Sequence, residues 1–85
     1  MRTGVQFTGT LGPRASGRWF TFGWPATWQV IWYMMPTSPQ PGAPELDWDV
    51  GVERADATNV TYWITVSNRT GASINFEGRY AVLNG

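Results

Sequence analysis

No cysteine, histidine or lysine occurs anywhere in the 85 residues. Without cysteine there is no disulfide to staple the fold, and a chain this short buries only about 60% of its unfolded surface, which leaves a thin margin of stability. Without histidine and cysteine, zinc, copper and haem lose their ordinary protein ligands, so no metal site and no cofactor is expected. The same absences remove most acid–base and nucleophilic devices. A Ser-His-Asp triad cannot be assembled, and Ser16, Ser38, Ser67 and Ser73 have no base to pair with. The chain is therefore expected not to be an enzyme.

A surplus of charge is missing too. Six Arg balance six Asp plus Glu, for a net charge of zero. Nucleic-acid and anionic-membrane binding need a basic surplus, so neither partner is expected. The longest uninterrupted apolar run, Val30 to Met35, falls far short of the roughly 20 residues that cross a bilayer. Met1-Arg2-Thr3-Gly4 leads into no continuous apolar stretch of the kind a signal peptide needs. What the chain has in quantity is aromatic residues: six Trp, four Phe and three Tyr. Each buried ring removes roughly 150–250 Å² from water, so a small core built from them can suffice, with self-association as the other source of burial.

The apolar residues recur with a period of two. They read Leu46, Trp48, Val50, Val52; then Val60, Tyr62, Ile64, Val66; then Ile74, Phe76, Tyr80, Val82. Strict alternation predicts strands with one buried and one wet face. Val5, Phe7 and Leu11 suggest an earlier strand interrupted at Gly9, Arg18 to Phe22 a second, and Gly23-Trp24-Pro25-Ala26 a turn. Trp28 to Met35 is apolar except at Gln29, which predicts a strand covered on both sides, by a second sheet or a partner subunit. Four prolines between Pro36 and Pro44 predict a stiff crossover. Ala55–Asn59 and Asn68–Ser73 read as hairpin loops. The expected architecture is one all-β domain over residues 1–85, an antiparallel β-sandwich of about six or seven strands.

The stretch Tyr62-Trp63-Ile64-Thr65-Val66-Ser67-Asn68-Arg69-Thr70-Gly71, followed by Ile74-Asn75-Phe76, resembles the late hairpin of bacterial immunoglobulin-like accessory modules. That resemblance covers only part of the chain. It implies an immunoglobulin-like sandwich with an adhesive or accessory role, without the cysteine pair of antibody domains.

One carboxylate group stands out. Asp47, Asp49 and Glu53 share a strand face, with Asp56 just beyond. A glycosidase pair or a calcium ion would use such oxygens. A flat sheet face excludes no water, however, and calcium loops curl around the ion, whereas Asp47-Trp48-Asp49-Val50-Gly51 alternates like a strand. The bland reading is a solvated face that deters edge aggregation.

Trp63 breaks the alternation by pointing to the polar side of its strand. If both short loops are hairpins, parity sets Trp63 opposite Gly51, with Asp49 and Glu53 as neighbours on one side and Glu77 or Arg79 on the other. An indole face rimmed by charged groups suits a sugar ring: the aromatic stacks on its apolar face while the rim bonds its hydroxyls. The competing reading has Trp63 simply shielding the backbone at Gly51. Trp19 is out of phase with Phe20 and Phe22, which makes it a second candidate for the same surface. Ile31, Tyr33 and Met35 form an apolar outward face that calls for a cover. Two functions are thus expected: a non-catalytic module recognising a glycan, or a homo-oligomer with its extra aromatics in the subunit interface.

Overall fold

β-Branched and aromatic residues at alternate positions build six strands in the computed structural model, which describes residues 1–84: β1 (Arg2–Leu11), β2 (Ser16–Pro25), β3 (Val30–Pro36), β4 (Leu46–Arg54), β5 (Asn59–Asn68) and β6 (Ile74–Val82). All pairings are antiparallel, and no helix occurs among the described residues. The strands form two three-stranded sheets, ordered β1-β6-β3 and β2-β5-β4. The proline-rich stretch joins β3 in the first sheet to β4 in the second.

Residues of both sheets meet in one buried cluster. Leu11, Trp32, Met34, Ile74, Phe76 and Val82 come from the first sheet. Leu46, Trp24, Val60, Tyr62, Ile64 and Val66 come from the second. Aromatic contacts span the two. Trp24 on β2 meets Tyr80 on β6 with ring centroids 5.1 Å apart, and Trp32 on β3 at 5.4 Å. Lower down, Trp19 on β2 meets Phe76 on β6 edge-on at 5.1 Å and stacks on Phe7 of β1 at 5.9 Å. The Trp32 indole nitrogen is buried without an acceptor, a cost of about 1–3 kcal/mol that the surrounding ring contacts offset.

Several expectations need correction. Only Ala55–Thr58 is a hairpin loop; Asn68–Ser73 carries the chain from one sheet to the other, and β5 and β6 are not neighbours. The reason lies in Asn68, which is 2% exposed. Its amide donates to the carbonyls of Leu11, Gly12 and Ala72 and accepts from Thr70, tying the crossover to the turn after β1 rather than folding it back on itself. β1 runs unbroken through Gly9, because the rings of Trp19 and Phe76 lie where a Cβ there would stand. β2 extends through the expected turn to Pro25: a bulge between Thr21 and Trp24, with Gly23 at φ +80°, inserts extra backbone and turns Trp24 inward. The strand at Val30–Pro36 is an edge strand buried on one face only; Ile31 and Tyr33 stay half-exposed. Val50 and Val52, expected on the buried face of β4, are 38% and 69% exposed; β3 of the other sheet reaches β4 at Trp48, whose ring lies 5.2 Å from Tyr33.

Candidate functional site

The outer face of β2-β5-β4 is set by two registers. On one side β4 and β5 are joined by a hairpin whose geometry Asp56 enforces, accepting from the backbone N–H groups of Thr58 and Asn59 and from the Asn59 amide. The backbone N–H of Thr58, then the Asn59 side chain and backbone, hold the Asp56 carboxyl below its ordinary pKa. Arg54 closes the loop by donating to the carbonyls of Asp56 and Ala57. With loop length and closure fixed, Gly51 falls opposite Trp63, Asp49 opposite Thr65 and Glu53 opposite Thr61. On the other side β2 sets Phe20 opposite Trp63 and Arg18 opposite Thr65.

Two rungs therefore cross the face: Phe20–Trp63–Gly51, and beside it Arg18–Thr65–Asp49. Phe20 and Phe22 are 59% and 74% exposed and Trp63 is 37% exposed, an aromatic strip on the wet side of the sheet. Phe20 stacks on the indole with centroids 5.1 Å apart and planes 28° from parallel, and Phe22 continues the strip 6.3 Å from Phe20. The Trp63 indole nitrogen donates to Glu53 Oε1 at 2.7 Å. The Arg18 guanidinium lies over the indole, 5.9 Å from its centroid. Held by a ring and by a carboxylate, the indole has little freedom left to lose when something stacks on it. A shallow, open depression of about 510 Å³ lies beside it, lined by Arg18, Asp49, Val50, Gly51, Trp63 and Thr65.

Of the residues singled out in the sequence, Trp63, Asp49 and Glu53 come together here. Glu77 and Arg79 do not: β6 belongs to the other sheet, and the two form an ion pair with each other at 2.8 Å on its outer face, among Val5, Tyr33 and Met35. Trp19 is also elsewhere. It faces inward, its ring against Gly9 and Gly17, because only glycine leaves room for an indole so near the backbone. The outward members of β2 are Arg18, Phe20 and Phe22, which sequence reasoning passed over as site residues. A signal was available: Arg18 shares their parity, and a charged residue marks the wet face. The carboxylates stay spread along β4, and no cluster of acidic side chains able to hold a metal ion occurs among the described residues.

Comparison with protein-family models, with curated proteins and with solved structures gives no match for this chain.

Proposed function

We propose that the protein is a non-catalytic recognition module that binds carbohydrate on the outer face of β2-β5-β4. The observation that carries this reading is Trp63: an indole braced by Phe20 and Glu53 yet more than a third exposed, beside the polar side chains of Arg18 and Asp49. Sugar recognition needs that combination, a rigid aromatic plane for the apolar face of a pyranose and flanking donors and acceptors for its hydroxyls. The absence of His, Cys and Lys from the chain leaves the site equipped for binding rather than for proton transfer. The test is a tryptophan-fluorescence titration against a panel of neutral and acidic oligosaccharides, with Trp63→Ala as reference. A response lost in the variant supports the reading, and silence toward every glycan at millimolar concentration ends it.

The immunoglobulin-like sandwich belongs to the same proposal. In immunoglobulin domains strands B, E and D lie in one sheet and C and F in the other, with a buried Trp on strand C against an inter-sheet disulfide. Support comes from the order β2-β5-β4 beside β3-β6 and from Trp32 on β3, buried against Trp24 and Tyr80, which touch across the sheets as the cysteines do elsewhere. β1 departs from that pattern by pairing with β6.

A second reading, homo-oligomerisation, draws on the opposite surface. Val5, Ile31 and Tyr33 are each at least half-exposed there and border a shallow concavity of about 570 Å³. Sedimentation would separate the readings: a strict monomer at micromolar concentration removes the second and leaves the first untouched.

A further inference from the structure

The geometry points to Gly51 as the residue that opens a seat for one neutral sugar ring beside Trp63, with Asp49 and Arg18 as its hydroxyl partners; this rests on the carbohydrate reading above. Elsewhere the chain shows what a glycine required by packing looks like. A Cβ at Gly9 would stand 2.8 Å from the Trp19 ring, at Gly17 2.9 Å from the same ring, and at Gly78 2.5 Å from Phe7. Those rings lie on those glycines.

Gly51 is different. A Cβ there would meet only the Cβ and carbonyl oxygen of Trp63, both at an ordinary 3.7 Å, and no indole ring atom within 4 Å. Its backbone is not in the left-handed region, which the described glycines reach at Gly23 and Gly42. Neither crowding nor conformation calls for glycine, and in mid-strand glycine weakens the sheet. The shielding role expected for Trp63 over Gly51 is also absent, since the ring does not rest there. What the glycine supplies is the open space above it.

The side chains around that space are the uncommitted ones. Among the described residues every other arginine is engaged: Arg2 stacks over Trp28, Arg14 donates to the Arg69 carbonyl, Arg54 to the hairpin carbonyls, Arg69 pairs with Asp47 and Arg79 with Glu77. Arg18 makes only its loose contact with the Trp63 ring. The carboxylates follow suit: Glu45 accepts from the Gln40 backbone, Glu53 from Trp63 and Asp56 from its own turn, while Asp47 and Glu77 are ion-paired. Asp49 alone holds no partner. The unpaired cation and the unpaired anion flank one glycine-floored notch.

Arg18 and Asp49 are separated by the width of β5, two strand spacings of roughly 4.8 Å each. They do not pair with each other, and only the short Thr65 side chain stands between them. A carboxylate accepts from two adjacent hydroxyls at once, and a guanidinium donates to hydroxyl or ring oxygens. Asp49 and Glu53 stand on either side of Gly51 along β4, so the acids near the notch outnumber Arg18 and an anionic sugar is disfavoured. The ligand class is a neutral pyranose with vicinal hydroxyls.

Calorimetric titration with hexasaccharides of glucose, mannose and galactose, and of galacturonic acid as the acidic counterpart, tests this. Gly51→Val fills the notch with a strand-favouring side chain. It is expected to weaken binding of the preferred neutral sugar more than about tenfold while melting at or above the wild-type temperature. Asp49→Ala, which removes an exposed and unpartnered group, should lose affinity to the same degree. Should both variants bind within about twofold of wild type while Trp63→Ala is at least about tenfold weaker, the notch is not the seat and the platform reading stands. If Gly51→Val melts lower, Asp49→Ala alone decides by the same threshold. Preference for the galacturonic acid hexamer overturns the ligand class, and no binding of any hexasaccharide by the wild type overturns the notch and the platform together.

Discussion

The two outer faces of this molecule are built alike and finished differently. Each is a three-stranded antiparallel surface with an exposed aromatic, Tyr33 on one and Trp63 on the other. On the β1-β6-β3 face the central charges, Glu77 and Arg79, satisfy each other, and the surface around them is apolar. On the β2-β5-β4 face Arg18 and Asp49 stand apart with Thr65 between them, next to a braced indole. A face whose polar groups are mutually satisfied offers area and little direction. One whose polar groups are uncommitted offers directed bonds, and so selectivity.

The most disruptive way to break that comparison is to remove the connector between the sheets. Asn68→Ala strips donors from three carbonyls around the buried end of β5 and is expected to cost about 3 kcal/mol in chemical denaturation, harming both faces together. Trp63→Ala acts on one face only. It should abolish measurable glycan binding and lower the melting temperature by a few degrees, because the indole is only 37% exposed and its stacking on Phe20 is lost with it. The mirror experiment is the double change Ile31→Ser with Tyr33→Ser. It should leave glycan affinity per chain unaltered and shift any self-association toward monomer in sedimentation. Glu53→Ala sharpens the contrast further, since it frees the indole without removing it; a loss of about threefold in affinity, near 0.6 kcal/mol, is expected for an exposed hydrogen bond.

The smallest effect concerns the register behind the site. Because the fold holds the Asp56 carboxyl below its ordinary pKa, its ionised form stabilises the β4–β5 hairpin at neutral pH. That contribution is complete above the unfolded value and disappears as pH falls through the lower folded value. Asp56→Ala should thus melt below wild type at pH 7, with the gap closing in acid.

The register of β4 on β5 was legible in the sequence because a short loop joins them: alternation supplied the facing and loop length the pairing, which put Gly51 across from Trp63. The other neighbour of β5 was not. Parity says which way a side chain points and nothing about which strand lies beside it, so it sets Glu77 and Arg79 next to Trp63, where the fold puts β2. The phase of β2 misled for a different reason. Phe20 and Phe22 are more hydrophobic than most surface residues and suggest an interior, while Trp19 requires two glycines, Gly17 on its own strand and the remote Gly9 on β1, before it can turn inward. The bulge at Gly23 then hid Trp24 from any count by twos. Where the fold depends on a ring lying against a remote backbone, no local period records it.

That dependence has a consequence at the centre of the molecule. Trp24 and Tyr80 tie β2 to β6 through their rings, with Trp32 against both. A covalent sulfur bridge at such a place would make folding answer to the thiol–disulfide poise of the compartment. A bridge of aromatic rings needs no oxidant to form and yields to no reductant. The same domain can therefore keep its two sheets together in glutathione-rich and in oxidising surroundings alike.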